Sequence, residues 1–208
     1  MAMRQRSGPL LRSCAGGRHV ILTPSLHFRS QTLADARRAA AAGSDPEAQR
    51  WLGWRPGSLV PADERDRLLA APAGTGRSRF GLRVPVMEIA MVAVDPERGT
   101  LAGSVSLVPL SRDVCELGGS LAPAYRGRGL GAELFTAGLA LAHRHLGFRE
   151  VRAGAEPENI ASVRSLWRAG FDPAPGPAAH RLSDGRVIPC TWFSSVEREP
   201  QRCRPALW

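Results

Sequence analysis

The hydrophobic pattern divides the chain into two parts of different character. In the first, His19-Val20-Ile21-Leu22 reads as a strand. Residues 32 to 42 have helical spacing, with Thr32 placed to cap the helix and Gly43 to stop it. A second short helix opens at Ser44 or Asp45, with Pro46 in its first turn and Trp51 and Leu52 as apolar contacts. A third helical stretch covers residues 61 to 71, and the Gly/Pro-rich segment 72–79 is a loop.

From residue 84 onward the pattern turns to strands. Residues 84–94 and 100–109 flank Asp95-Pro96-Glu97-Arg98-Gly99, which predicts a hairpin. Residues 113–122 form a further strand. Helix, strand, helix and strand follow at about 129–146, 149–155, 159–169 and 186–195. The long helix carries Phe135, Leu139, Ala142 and Leu146 on one stripe and Leu130, Leu134 and Leu141 on the next. Such a broad apolar face suits a helix laid on a sheet, and Gly147 ends it. The element order predicts one layered α/β domain over residues 18–196. It is flanked by a disordered basic leader (1–17) and a flexible tail (197–208).

Composition changes this picture little. A chain of 208 residues, 43% hydrophobic and 23% charged, is ordinary for a soluble domain. The net charge of +9 invites a nucleic-acid reading, but all 28 basic residues are arginine, which reads as compositional bias rather than a basic face. Nucleic acid is therefore not expected as a partner. The cysteines Cys14, Cys115, Cys190 and Cys203 form no C-x-x-C pair, and the five histidines form no ligand set, so no metal is expected. No apolar run reaches the length of a membrane span, so no membrane partner is expected either, and the expected compartment is the cytoplasm.

The chemistry is concentrated in Leu121-Ala122-Pro123-Ala124-Tyr125-Arg126-Gly127-Arg128-Gly129-Leu130-Gly131. A strand ends there, a glycine-rich loop follows, and a long helix begins. Backbone N–H groups and the positive end of the helix would converge on one spot, which suits a phosphate. Arg126 and Arg128 could add charge-assisted contacts. A P-loop is excluded because the chain has no lysine. A dinucleotide fingerprint matches formally at Gly127-x-Gly129-x-x-Ala132, with Glu150 about 20 residues on. However, Pro123-Ala124-Tyr125 separates its first glycine from the strand.

Arg126-x-x-Gly129-x-Gly131 resembles motif A of the GNAT acetyltransferases. The downstream segment from Glu158 to Phe171 resembles motif B, with Asn159 opening a helix, Ser162 three residues later and Gly170-Phe171 at its end. Leu33-Ala34-Asp35, Asp45-Pro46-Glu47 and Arg50-Trp51-Leu52 resemble the N-terminal helices of the branch that acetylates ribosomal-protein N-termini.

The resemblance implies a twisted, mostly antiparallel mixed sheet flanked by helices, and transfer of acetyl from acetyl-CoA to a primary amine. The acceptor would be a protein N-terminus or a small molecule, and the protein a monomer or homodimer. It implies a cofactor site at Leu121, Ala122, Arg126, Gly127, Arg128, Gly129, Leu130, Gly131, Asn159 and Ser162. Asn159 is equally suited to be a helix N-cap. Glu116 is the first candidate base, with Glu88 second and Ser120 a candidate acid. The position of the family's acidic tyrosine holds Leu166. Gly118-Gly119-Ser120 replaces bulkier residues, so an aromatic at Gly119 would be expected to narrow the acceptor pocket. Trp167 and Phe171 are expected in the core. The alternative from another class is a CoA-binding or interaction module without turnover.

Overall fold

The computed structural model describes residues 10–14, 18–72 and 89–202. In chain order these form β1 (Leu10–Cys14), β2 (Arg18–Leu22), β3 (His27–Ser30), α1 (Leu33–Gly43), α2 (Pro46–Leu52), α3 (Ala62–Ala70), β4 (Ile89–Val94), β5 (Leu101–Pro109) and β6 (Val114–Leu121). Then come α4 (Leu130–Arg144), β7 (Glu150–Ala155), α5 (Ile160–Ala169), β8 (Asp172–Ala174), β9 (Ala179–Arg181), β10 (Val187–Pro189) and β11 (Thr191–Val196). Glu88 and Cys203 lie outside the described residues.

Nine strands form one sheet in the order β1-β2-β3-β4-β5-β6-β7-β11-β8, and β9 and β10 pair separately as a hairpin. Within the large sheet the pairings are antiparallel, with one exception: β6 and β7 run parallel, joined through α4. A doubly wound sheet is built from parallel neighbours, so this topology removes the dinucleotide-fold alternative.

Local signals set the helix boundaries. Thr32 caps α1 and Asp35 reaches back to the Thr32 backbone, a capping box buried beneath Arg29. Asp45 caps α2, with Pro46 at its first position and left-handed Gly53 (φ 53°) at its end. Helix α4 lays Leu134, Leu141 and Ala142 into the core against β5 and β6. Its closest approach is at Gly138, where a Cβ would lie 2.4 Å from Leu117 Cδ1 and 3.2 Å from Val105 Cγ2.

Several features depart from the sequence reading. A strand at Leu10–Cys14 pairs with β2 inside the stretch read as leader. The segment beyond residue 196 folds back on α4: Glu197 N–H donates to Arg149 O at 2.9 Å, Gln201 N–H to His143 O at 2.7 Å and Arg202 Nε to Leu146 O at 3.0 Å. The last two satisfy carbonyls at and just past the α4 C-terminus, while the first extends the β11–β7 ladder by one pair. The last strand is split into β10 and β11 at Pro189-Cys190, since Pro189 has no N–H to continue a ladder. Phe171 is buried, but Trp167 is 53% exposed and meets Phe193 edge to face, so it is not a core residue. Leu166, one position earlier and about 100° round the helix, takes the buried place. His19 and His145 stand edge to face with ring centroids 4.5 Å apart, a pairing that sequence spacing does not show.

Gly138→Val should overfill the seam between α4 and the sheet and lower stability by about 1–3 kcal/mol, read as an earlier denaturant midpoint.

Candidate active site

The site begins where two strands part. β6 and β7 pair through Val114–Glu150, Cys115–Val151 and Glu116–Arg152, and then separate. β6 continues to Leu121 against β5, while β7 turns with β11, which it pairs along its whole length. The inner edges of the two strands beyond Glu116 therefore have no strand partner among the described residues. Glu116 stands at the fork.

A cleft of about 250 Å³ occupies the gap. On one face of the sheet it is lined by Leu117, Gly119, Phe135, Ser162 and Leu166, and on the other by Glu116, Gly118, Trp51 and Leu52. Leu117 and Gly119 face α4: a Cβ on Gly119 would lie 2.9 Å from Ser104 O and 3.0 Å from Leu134 Cδ2. Alternation then turns Glu116, Gly118 and Ser120 the other way. The cleft thus passes through the sheet, from the side of α4 and α5 to the side of α2. An aromatic side chain at Gly119 would strike backbone and Leu134 rather than enter the α2 side. The position that opens toward that side is Gly118, where an added Cβ meets nothing closer than Ser106 Oγ at 3.9 Å.

The glycine loop leaves the end of β6 and is held on both flanks. Tyr125 is buried, shares a hydrogen bond with Thr100 Oγ1 at 2.7 Å and donates to Asp95 Oδ2 at 3.0 Å. Arg126 donates through Nε to Leu121 O at 3.1 Å, and its two terminal nitrogens reach Asp45 at 2.8 and 2.6 Å and Glu47 at 3.2 Å. Its guanidinium is therefore engaged by α2 rather than extended toward a phosphate. Arg128 lies over the Tyr125 ring at 5.5 Å. Between these anchors Gly127 and Gly129 adopt left-handed φ of 72° and 77°, with open space where a Cβ would stand.

Helix caps sharpen the picture. Side chains cap α1, α2 and α5, whereas α3 starts from Pro61 and α4 from Gly129 with no side-chain cap. The first N–H groups of α4, Leu130 and Gly131 among them, have no intrahelical acceptor by construction. A fifteen-residue helix with an uncapped N-terminus behind a glycine loop presents donors and partial positive charge to one spot. Gly131 has a separate task. A Cβ there would lie 2.5 Å from Ser165 Oγ, so the glycine lets α5 approach α4.

Asn159 caps α5, its Oδ1 accepting from Ser162 N–H at 3.1 Å, and both residues line the cleft. Its amide NH₂ is not used by that cap. Leu121 and Ala122 close β6 and begin the loop, and Ala122 N–H is taken by Ala102 O at 2.9 Å. Ser120 lies on the Glu116 face of β6 but four positions along, about 13 Å at strand rise. It is not part of the cleft lining, so the structure does not bring the two together.

Sequence reasoning missed the far wall. His180, Leu182, Ile188, Cys190 and Trp192 reach the cleft from the β9–β10 hairpin and β11. Pro189, which breaks the last strand, was the available signal. Burial pushes the Cys190 thiol up, the nearby Ala155 N–H pulls it back, and the charge of Glu116 adds to the rise. Buried Cys115 is pushed up to about 12, which leaves it an inert thiol at neutral pH. No group of three or more potential metal ligands occurs among the described residues, and none of their helices is long and apolar enough to cross a membrane.

A sheet forked beside a glycine loop and an open helix start defines an α/β protein with a cleft between two parting strands. The Acetyltransferase (GNAT) domain family matches residues 25–172, and the chain belongs to that family. Among curated proteins, none matches by sequence. Solved structures share the fold. A spermidine N-acetyltransferase from Vibrio cholerae, in complex with CoA and spermine, superposes with a TM-score of 0.64 at 17% identity, over 84% of this chain and 97% of its own. A ribosomal-protein-S5-alanine acetyltransferase from Vibrio fischeri gives 0.64 at 17% identity over 88% and 98%. A ribosomal L7/L12 α-N-protein acetyltransferase in complex with coenzyme A gives 0.63 at 15% identity over 85% and 97%.

Arg126→Ala would leave the Asp45 carboxylate, 11% exposed, without its guanidinium, and should cost about 2–4 kcal/mol in denaturant unfolding. Burial alone would raise Asp45 and Asp35. Hydrogen bonds from Arg126 and Ala48 N–H to the first, and from Arg29 and Thr32 to the second, hold both below their ordinary 3.8. Both folded-state values are depressed, so their stabilisation is complete above 3.8 and disappears as pH falls from there through the folded values. Acid titration of stability should be shallower below pH 3.8 in Arg126→Ala than in wild type.

Proposed function

We propose that the protein transfers an acetyl group from acetyl-CoA to a primary amine, with both substrates bound at once in the cleft between β6 and β7. The observation that carries this reading is the fork. An unpaired strand edge leads from the open α4 N-terminus to the carboxylate of Glu116, and the gap opens on both faces of the sheet.

The residues present fit the co-substrate. The N–H groups of Gly127, Arg128, Gly129, Leu130 and Gly131 would receive its pyrophosphate, with Arg126 fixing the loop through its backbone position and its clamp on Asp45. Its pantetheine arm would lie along β6 as an added strand, between Leu121 and the fork, with the Asn159 amide and Ser162 opposite. Acetyl-CoA supplies the activated acetyl group as a thioester. A backbone N–H on the free edge of β6 would receive charge at the carbonyl oxygen.

Glu116 acts at the other side. It attracts the ammonium, and directly or through one water takes a proton from it, so that the nitrogen lone pair can form the new N–C bond as the C–S bond breaks. The nitrogen's second proton leaves toward the departing sulfur. Water or the Cys190 thiol can relay that proton, giving one to the sulfur as it takes the other from nitrogen, since Leu166 carries none.

At about 100 times its dissociation constant, acetyl-CoA should add roughly 2.7 kcal/mol to the folded state, a rise of about 5–10 °C in melting temperature. Gly129→Glu should abolish the rise, and Gly129→Ala, which carries the same backbone strain without the charge, should retain most of it. Wild type that does not respond would remove the acetyl-CoA reading. Glu116→Gln should keep the shift and lose about a hundredfold or more in kcat. A Gln variant as fast as wild type would leave the base elsewhere. A wild type that binds acetyl-CoA and turns over no amine would favour the binding-module alternative.

A further inference from the structure

The acceptor side of the cleft is specific in its chemistry. It is walled by Trp51 and Leu52 of α2, His180, Leu182 and Ile188 of the β9–β10 hairpin, and Trp192 of β11; Arg50 lies over the Trp51 ring at 4.5 Å and Arg152 over the Trp192 ring at 5.4 Å, backing the two tryptophans. At its floor stands the carboxylate of Glu116.

This wall is braced. Arg186 donates to Arg50 O at 2.9 Å and to Gln49 O at 2.7 Å, so its guanidinium caps the C-terminal carbonyls of α2. Asp184 accepts from Arg186 Nε at 2.7 Å, and its N–H donates to Gly53 O at 2.7 Å. Leu182 sits against Gly53, where an added Cβ would lie 2.6 Å from Leu182 Cδ1. The hairpin tip and α2 thus form one unit, and the apolar walls hold a fixed separation before any amine arrives.

Resting on the acetyl-transfer reading, we propose that the acceptor is a primary amine carried on an apolar body, aromatic or branched alkyl, with no carboxylate beside the amine. Glu116 draws a single cation to the fork, and the two tryptophans and the aliphatic wall take the carbon body. An α-carboxylate would lie close to Glu116 in a partly desolvated gap and be repelled. A second ammonium farther along the body would be desolvated against Leu52, Leu182 and Ile188. A free arylalkylamine and a peptide N-terminus with an apolar first residue share the chemistry, because the peptide's first carboxyl is a neutral amide.

The test compares kcat/KM for L-phenylalaninamide, L-phenylalanine, phenethylamine, spermidine and a hexapeptide beginning with phenylalanine, at saturating acetyl-CoA. The amide should exceed both phenylalanine and spermidine by about tenfold or more. The ranking of phenethylamine against the hexapeptide identifies the source, and either order supports the proposal. Phenylalanine or spermidine equal to the amide overturns it, as does acetylation of none of the five by a protein that acetyl-CoA stabilises. A protein that acetyl-CoA does not stabilise fails the acetyl-transfer reading instead, before any amine is compared. Ile188→Arg places a guanidinium in the wall and should reduce the amide-to-acid ratio by about tenfold with the acetyl-CoA melting shift unchanged. An equal loss on both amines would show that this wall does not face the acceptor.

Discussion

Everything in this structure that bears on chemistry follows from how briefly β6 and β7 stay together. Three parallel pairs hold them, and β7 then follows β11, to which six antiparallel pairs bind it. The parting is supported from both faces. Phe135 and Leu166 fill the α4 and α5 side, and Trp51 and Leu52 stand on the other. Backbone groups that a sheet would normally pair are left facing a gap, where Gly118, Gly119 and Gly154 are exposed and open to a ligand's polar groups. A ligand able to pair along a strand is the partner that would complete the sheet.

A gap is of use only if its ends are held, and the glycine loop shows how that is achieved. Gly127 and Gly129 contribute shape but no contacts, so the loop depends on the residues just before them. Tyr125 ties it to the β4–β5 turn through Asp95 and Thr100, and Arg126 ties it to the α1–α2 junction. Asp45 receives Arg126 and also caps α2, the helix that presents Trp51 and Leu52 to the cleft. One ion pair therefore fixes the glycine loop and α2 relative to each other.

The sequence made the helices and the loop legible because their signals are local. Thr32 with Asp35, Asp45 with Pro46, Asn159 and Gly170 each mark a helix end within a few residues. The [QR]-x-x-G-x-[GA] spacing placed the glycine loop between a strand and a helix, where it lies. What stayed hidden depends on contacts distant in sequence. No local pattern shows that Arg126 reaches back 81 residues to Asp45 rather than outward, or that Arg186 spans 136 residues to α2. Gly118 and Gly119 look alike in sequence. Strand alternation separates them, but which of the two opens toward α2 follows only from the position of α4. Trp167 was misplaced for a related reason: two adjacent apolar residues compete for the buried face of α5, and Leu166 has it.

The arginine content takes on a different meaning once those long-range contacts are seen. A planar guanidinium can bind a carboxylate with two nitrogens, or bridge successive carbonyls, where an ammonium would act as a point charge. Arg29 pairs with buried Asp35, Arg126 with Asp45, and Arg37 with Glu64, while Arg186 and Arg202 bind backbone carbonyls at helix ends. In a chain without lysine these forks act as cross-links between elements far apart in sequence. Each Arg–carboxylate pair removes one charge of either sign, so these forks localise charge without changing the net of +9.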